Sequence, residues 1–230
     1  KVVSIISILA VLITSLAIFG VESRCKSKSE ENEIKKSFRE GFKEIWAEKK
    51  ARNFTIFVFL SMTAYFMQEL ILEPYAGIVF DFSPGQSTSL SGAQNGGVFF
   101  GMLCVGICCT GLNLGNLRSW VIWGCLGSAI SLTLIAFLGL AAQKSHLVFA
   151  VINLGFFNGM FAVAAIGSMM SLASKGRASR EGTRMGIWGA AQAVAAGFGG
   201  LLGASLLDLA RLIFNDPTSA FGSVFIIEAA

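Results

Sequence analysis

Charge is scarce in this sequence. Charged residues make up 14% of the 230, where a soluble domain of this length carries roughly 25%. Histidine occurs once, at His146, which leaves no basis for a histidine-built triad or a multi-imidazole metal site. No P-loop, G-x-S-x-G or H-E-x-x-H stretch is present, so the usual nucleotide, acyl-transfer and zinc-protease signatures are absent. Proline is limited to three residues. What fills the chain is apolar: 54% hydrophobic residues and 26 glycines, with a mean hydropathy of +0.68. That balance predicts an all-α, polytopic membrane protein and not a soluble enzyme. The net charge of +4 calls for no nucleic-acid partner.

The chain opens on Lys1 beside an apolar run, without methionine and without the pattern of a cleaved signal peptide. It stops at FIIEAA inside another apolar run. Both ends are expected to belong to a longer protein. The five cysteines, Cys25, Cys104, Cys108, Cys109 and Cys125, lie mostly in apolar segments and read as small packing residues.

Runs long enough to cross a bilayer fall at 1–20, 54–80, 94–113, 119–141, 147–173 and 185–210, with a truncated run from 219. If these alternate across the membrane, fifteen Lys/Arg lie on one side and three, Lys1, Lys144 and Arg211, on the other. The asymmetry places 21–53, with ten basic residues, in the cytoplasm or stroma. Within it, Ile34, Phe38, Phe42, Ile45 and Trp46 recur at helical spacing, which predicts an amphipathic helix along the membrane surface or against the loops. One span, a long cytoplasmic linker and then closely spaced spans match the centre and second half of a transporter with two six-span halves. On that layout 1–20 is the sixth span, 21–53 the central linker, and 54–230 the C-terminal half.

Small residues recur four apart at Gly97/Gly101, Gly111/Gly115, Gly155/Gly159, Gly182/Gly186 and Gly199/Gly203. Such pairs let helix backbones approach. In GIWGAAQAVAAGFGGLLGA (186–204) one face is nearly bare backbone, and either a neighbouring helix or a flat ligand is expected against it.

The least ordinary stretch is QELILEPY (68–75). Carboxylates in a span are costly and rarely face lipid. Gln68, Glu69 and Glu73 are therefore expected to face the bundle interior, a cavity or a polar partner, with the acid pair holding a proton, a cation, an arginine or a metal centre. Pro74 cannot donate to the Leu70 carbonyl, so a kink with a freed acceptor is expected beside the acids. The alternative is that Glu73 lies near the outer end of the span, where it is merely interfacial. Gln94, Asn95, Asn153, Asn158 and Gln192 read as interhelical hydrogen-bonding residues. His146 opens a span and reads as interfacial, with metal ligation the weaker alternative. Glu228 falls in the truncated last run.

QELILEPYAGIVF resembles the Q-D/E-x-L-L-E-P-Y/F-G-x-x-V-F signature of the bacteriochlorophyll delivery (PucC-like) family of the major facilitator superfamily. Ala76 stands where that family often has glycine. GIWGAAQAVAAGFGGLLGA is similar to the family's eleventh span, and TSAFGSVFIIEAA to the opening of its twelfth. The resemblance implies a helical bundle in a photosynthetic membrane, thylakoid or intracytoplasmic. It implies chlorophyll or bacteriochlorophyll as cargo, with carotenoid or lipid as further ligands, and subunits of pigment–protein complexes and membrane lipid as partners. By position it carries over Gln68, Glu69, Glu73, Tyr75, Trp188, Gln192 and Glu228 as pigment-binding or proton-carrying residues, with Glu73 or Glu69 a direct or water-bridged ligand to the chlorin magnesium. A proton-coupled transporter and a structural subunit of a photosystem or antenna are the competing readings.

Overall fold

The computed structural model describes residues 2–18, 38–112, 114–141, 144–174 and 181–230. Cys25, Ile34 and most of the basic linker lie outside them. The chain divides into two units, Lys1–Ser37 and Phe38–Ala230. The first contributes one apolar helix, α1 (Val2–Ile18). The second holds α2 (Phe38–Ala47), α3 (Lys49–Phe80), α4 (Pro84–Gly106), α5 (Leu117–Leu140), α6 (Lys144–Ser174), α7 (Glu181–Ile213) and α8 (Pro217–Ala229). Every regular element among the described residues is helical, and α3 to α7 are each long and apolar enough to cross a membrane. The protein is an all-α polytopic membrane bundle.

Local chemistry sets the helix ends. Asp81, at φ 54°, adopts the left-handed conformation that closes α3. Two residues later Ser83 opens α4 through a capping box with Gln86, and Pro84 occupies the first helical position. Hydropathy starts this span near 94, but the capping box begins the helix ten residues earlier, so the polar stretch 84–93 is helical. Asn116 caps α5 and Asp216 caps α8, each with a side-chain oxygen accepting a backbone N–H. α3 runs through Pro74 without interruption.

α4 lies against α6, α6 against α5, α3 against α7 and α5 against α8. The first contact is backbone on backbone and reciprocal. A Cβ on Gly97 or Gly101 would strike the carbonyl oxygens of Ile152 and Phe156. A Cβ on Gly155 or Gly159 would strike those of Gln94 and Val98. Gly124 and Gly127 of α5 receive Phe161 and Phe157 of α6. Gly199 and Gly203 of α7 sit on Thr63, Phe66 and Met67 of α3, so a neighbouring helix covers that face of the glycine-rich run. Gly182 and Gly186 meet nothing within 4 Å. Gly111 and Gly115 are not a helix pair: Gly111 ends a π-helical turn (Ile107–Gly111), and Gly115 takes φ +78° in the following loop.

Two apolar clusters lie at opposite ends of the long helices. Near the 81–83 turn, Tyr75, Phe80, Phe221 and Phe225 pack ring against ring. At the other end, Ile45 of α2 joins Ala51, Val58, Met169, Ala173, Ile187 and Trp188. The amphipathic helix α2 is thus seated by Ile45, while Phe42 and Trp46 stack on each other with centroids 5.6 Å apart and stay partly exposed. Arg184, only 7% exposed, pairs with Glu48 and donates to the Leu172 carbonyl at 3.4 Å, which ties the ends of three helices together.

These contacts rank the glycines. Gly101→Val forces α4 off α6 and is expected to cost about 1–3 kcal/mol or more, the range for overpacking. Gly186→Ala should stay within about 0.5 kcal/mol, as open-surface substitutions do. Thermal unfolding of both variants in nanodiscs checks the ranking.

Candidate functional site: a polar cleft between the first two long helices

Glu69 and Glu73 lie one turn apart on α3, and both are exposed. They do not face the bundle interior. With Tyr65 on the same helix, and Ser91, Gln94 and Asn95 on α4, they line a cleft of about 240 Å³. Every residue lining it is polar. Glu73 lies about 10 Å along the helix from the Phe80 end, and Glu69 a further turn in. The cleft therefore lies in the half of α3 nearer the 81–83 turn.

Hydrogen bonds order the cleft from the α4 side. Ser91 Oγ donates to Glu73 Oε1 at 2.8 Å. Asn95 Nδ2 donates to the Ser91 carbonyl at 3.0 Å. Glu73 Oε2, the Glu69 carboxylate and the Gln94 amide have no hydrogen-bond partner among the described residues, although Gln94 is only 8% exposed.

A second polar system lies deeper. Ser128 Oγ donates to Asn158 Oδ1 at 2.7 Å, and Asn158 Nδ2 donates to Gln68 Oε1 at 3.3 Å. The chain joins α5, α6 and α3 and borders a cavity of about 460 Å³ that also holds Tyr65 and Glu228. Gln68 Nε2 and Glu228 Oε2 are buried there without a partner. Tyr65 lines both spaces.

The remaining expected site residues lie elsewhere. Tyr75 is fully buried and donates to the Ile135 carbonyl at 2.7 Å, inside the aromatic cluster. Trp188 donates to Thr55 Oγ1 at 3.1 Å and packs edge-on against Phe54. Both line neither space. Gln192 is partly buried on α7, also outside both. His146 is exposed and contacts Ser145 Oγ at 3.2 Å. Among the described residues no group of three or more His, Cys, Asp or Glu side chains gathers. Sequence reading missed Tyr65, Ser91 and Ser128. The signal for Ser91 was legible, because Ser87, Ser91 and Asn95 repeat every four residues along one face.

The fold and cleft define a polytopic membrane protein with an acidic, oxygen-rich groove in the flank of its bundle. The PUCC protein family model matches residues 1–230, and the chain belongs to that family. It is 59% identical over 228 residues to the bacteriochlorophyll synthase 44.5 kDa chain of Rhodobacter capsulatus, covering 99% of this chain and 53% of that protein. An uncharacterized protein from the puhA-bchM intergenic region of Rhodobacter capsulatus is 30% identical over 187 residues, covering 81% of this chain and 38% of that protein. Protein PucC of Cereibacter sphaeroides is 27% identical over 244 residues, covering 100% and 50%. The chain spans about half the length of the curated relatives it matches. No solved structure matches.

The Ser128–Asn158–Gln68 chain makes a separable prediction. Asn158→Leu strands the buried Gln68 and the partly buried Ser128 and should cost about 1 kcal/mol, within the range for interhelical bonds in membranes. The double change with Gln68→Leu should cost less than the sum of the single ones, because stranded groups are removed together. A double-mutant cycle by thermal unfolding measures the difference.

Proposed function

We propose that this chain handles chlorophyll or bacteriochlorophyll during assembly of photosynthetic pigment–protein complexes, without turning the pigment over. Membership of the PUCC family and the pigment in a relative's name support the setting. The word synthase in that name belongs to the relative, and our reading for this chain is holding and transfer. The observation that carries the reading is the acid pair, open on the flank of a membrane-crossing helix with unpartnered carboxylate oxygens.

The fit of such a pigment divides in two. A chlorin's magnesium is a hard ion that takes oxygen ligands, and Glu69 and Glu73 supply free oxygens. The cleft, at about 240 Å³, is below the roughly 300–1,000 Å³ of sites that enclose drug-sized ligands. It does not enclose the ring. In this reading a carboxylate reaches the magnesium from the cleft mouth, directly or through water, while the ring stays in lipid or against a partner subunit. Photosynthetic complex subunits are the receiving partners. The membrane is thylakoid or intracytoplasmic, with 21–53 on the cytoplasmic or stromal face.

A second reading, proton-coupled transport of a small solute, draws on Tyr65, which borders both the acid cleft and the cavity holding Gln68, Asn158 and Glu228. The absorption spectrum of the purified protein separates the two. Bound tetrapyrrole supports pigment handling; a colourless protein that takes up solute with a pH gradient supports transport.

For the acids themselves, Glu73→Ala and Glu69→Ala should each lower pigment co-purification severalfold. Tyr75→Phe, which loses one hydrogen bond worth about 1 kcal/mol, should lower stability and leave pigment content unchanged. Unchanged pigment in both glutamate variants would rule out their role as ligands.

A further inference from the structure

We propose that the cleft between α3 and α4 is a binding site for a small hard cation, held through oxygen alone by Glu69, Glu73 and their neutral neighbours. The inference does not rest on the pigment reading, and it concerns the same cleft when no pigment is present.

Charge comes first. Two carboxylates four residues apart line one cleft on a helix long and apolar enough to cross a membrane, and an ionised pair on such a helix calls for a partner. The described basic side chains are engaged or distant. Lys144 lies 3.9 Å from Asp81, at the turn outside the cleft. Arg211 sits over the Phe221 ring, 5.4 Å from its centroid. Arg184 pairs with Glu48 at the far end. Lys43, Lys49, Lys50 and Arg52 precede or open α3, and Arg52, the nearest in sequence, is about 25 Å along the helix from Glu69. Arg118 begins α5 at the end away from the 81–83 turn. No described residue neutralises the pair.

The lining then selects the ligand. Glu73 already accepts one bond from Ser91, and Asn95 uses an amide hydrogen on the Ser91 carbonyl. Those two donors are used inside the protein, which leaves Glu73 Oε2, the Glu69 carboxylate and the Asn95 amide oxygen as open acceptors beside the Gln94 amide and the Tyr65 hydroxyl. Gln94 points independently to an occupant: the residue is only 8% exposed, it lines the cleft, and its amide has no hydrogen-bond partner. Two carboxylates repel an anion. The absence of sulfur and imidazole from the lining disfavours zinc and copper and suits sodium, magnesium or calcium. Two acids with neutral oxygens are a lighter set than a three-acid cluster, so water is expected to complete the shell. The volume of about 240 Å³ admits a partly hydrated ion.

The test uses the full chain, purified free of pigment in nanodiscs. Thermal unfolding is followed while NaCl, KCl, MgCl₂ or CaCl₂ is titrated against choline chloride at matched ionic strength. A saturable rise in Tm with at least one of these ions is expected. E69Q and E73Q should each shift its midpoint by tenfold or more, and Q94L by severalfold. E48Q, at the far end, lowers the starting Tm but keeps the midpoint. The proposal is overturned if no ion exceeds choline, if the rise persists unchanged in the E69Q/E73Q double variant, or if lowering the pH alone reproduces it. Pigment content is measured separately, so a failed cation titration leaves the pigment reading standing, and the reverse.

Discussion

The backbones of α4 and α6 touch, and much of the bundle follows from that contact. Carbonyl oxygens of Ile152 and Phe156 occupy the space a side chain would need at positions 97 and 101, and carbonyls of Gln94 and Val98 do the same at 155 and 159. In lipid no hydrophobic force drives helices together, so close packing must supply the attraction. Four glycines give α4 and α6 the closest approach that packing allows, and it fixes their register as well as their distance. With Gly155 and Gly159 turned to α4, Phe157 and Phe161 meet α5 at Gly127 and Gly124. Asn158 then bridges Ser128 of α5 and Gln68 of α3.

The same arrangement leaves the acid cleft open. α4 presents its glycine face to α6, while α3 receives the glycine face of α7. The two helices joined at 81–83 therefore pack lightly on each other, although they are neighbours in sequence. Their facing stripes, Tyr65, Glu69 and Glu73 on one and Ser91 and Asn95 on the other, meet across a gap instead of interdigitating. Polar character and loose packing arise together, since a stripe of carboxylates and amides could not be sealed without partners.

Much of this was legible in the sequence, and the failures have physical causes. Hydropathy locates the long helices because burial in lipid demands continuous apolar length. It misplaces the start of α4, because a capping box and an N1 proline outweigh the polar composition of 84–93. Glycine spacing identifies the pairs 97/101, 155/159 and 199/203, but it equally marks 111/115 and 182/186, which pack against nothing similar. Spacing reports which residues share a face and not which face is covered. The same limit applies to QELILEPY. Four-residue spacing puts Glu69 and Glu73 together, but only the contacts of α3 show that Gln68 and Tyr75 turn inward while the acids turn out. Tyr75 and Trp188 were grouped with the acids by family position, yet each has a buried partner of its own, Ile135 and Thr55.

Gln68 and Glu69 are adjacent in the chain and belong to different polar systems. Gln68 is held in a hydrogen-bonded line that crosses three helices and needs no charge to be stable. Glu73 is held by one serine and Glu69 by no hydrogen bond among the described residues, on a surface that hydrocarbon cannot cover cheaply. A protein that only needed cohesion would be served by the first system. The second is costly wherever hydrocarbon covers it, as ionised groups on an apolar span are. The two readings of the cleft, a resident cation and a pigment magnesium, thus place demands on the same oxygens. A carboxylate committed to an ion is less available to a chlorin, and displacement of that ion would couple cation concentration to pigment loading.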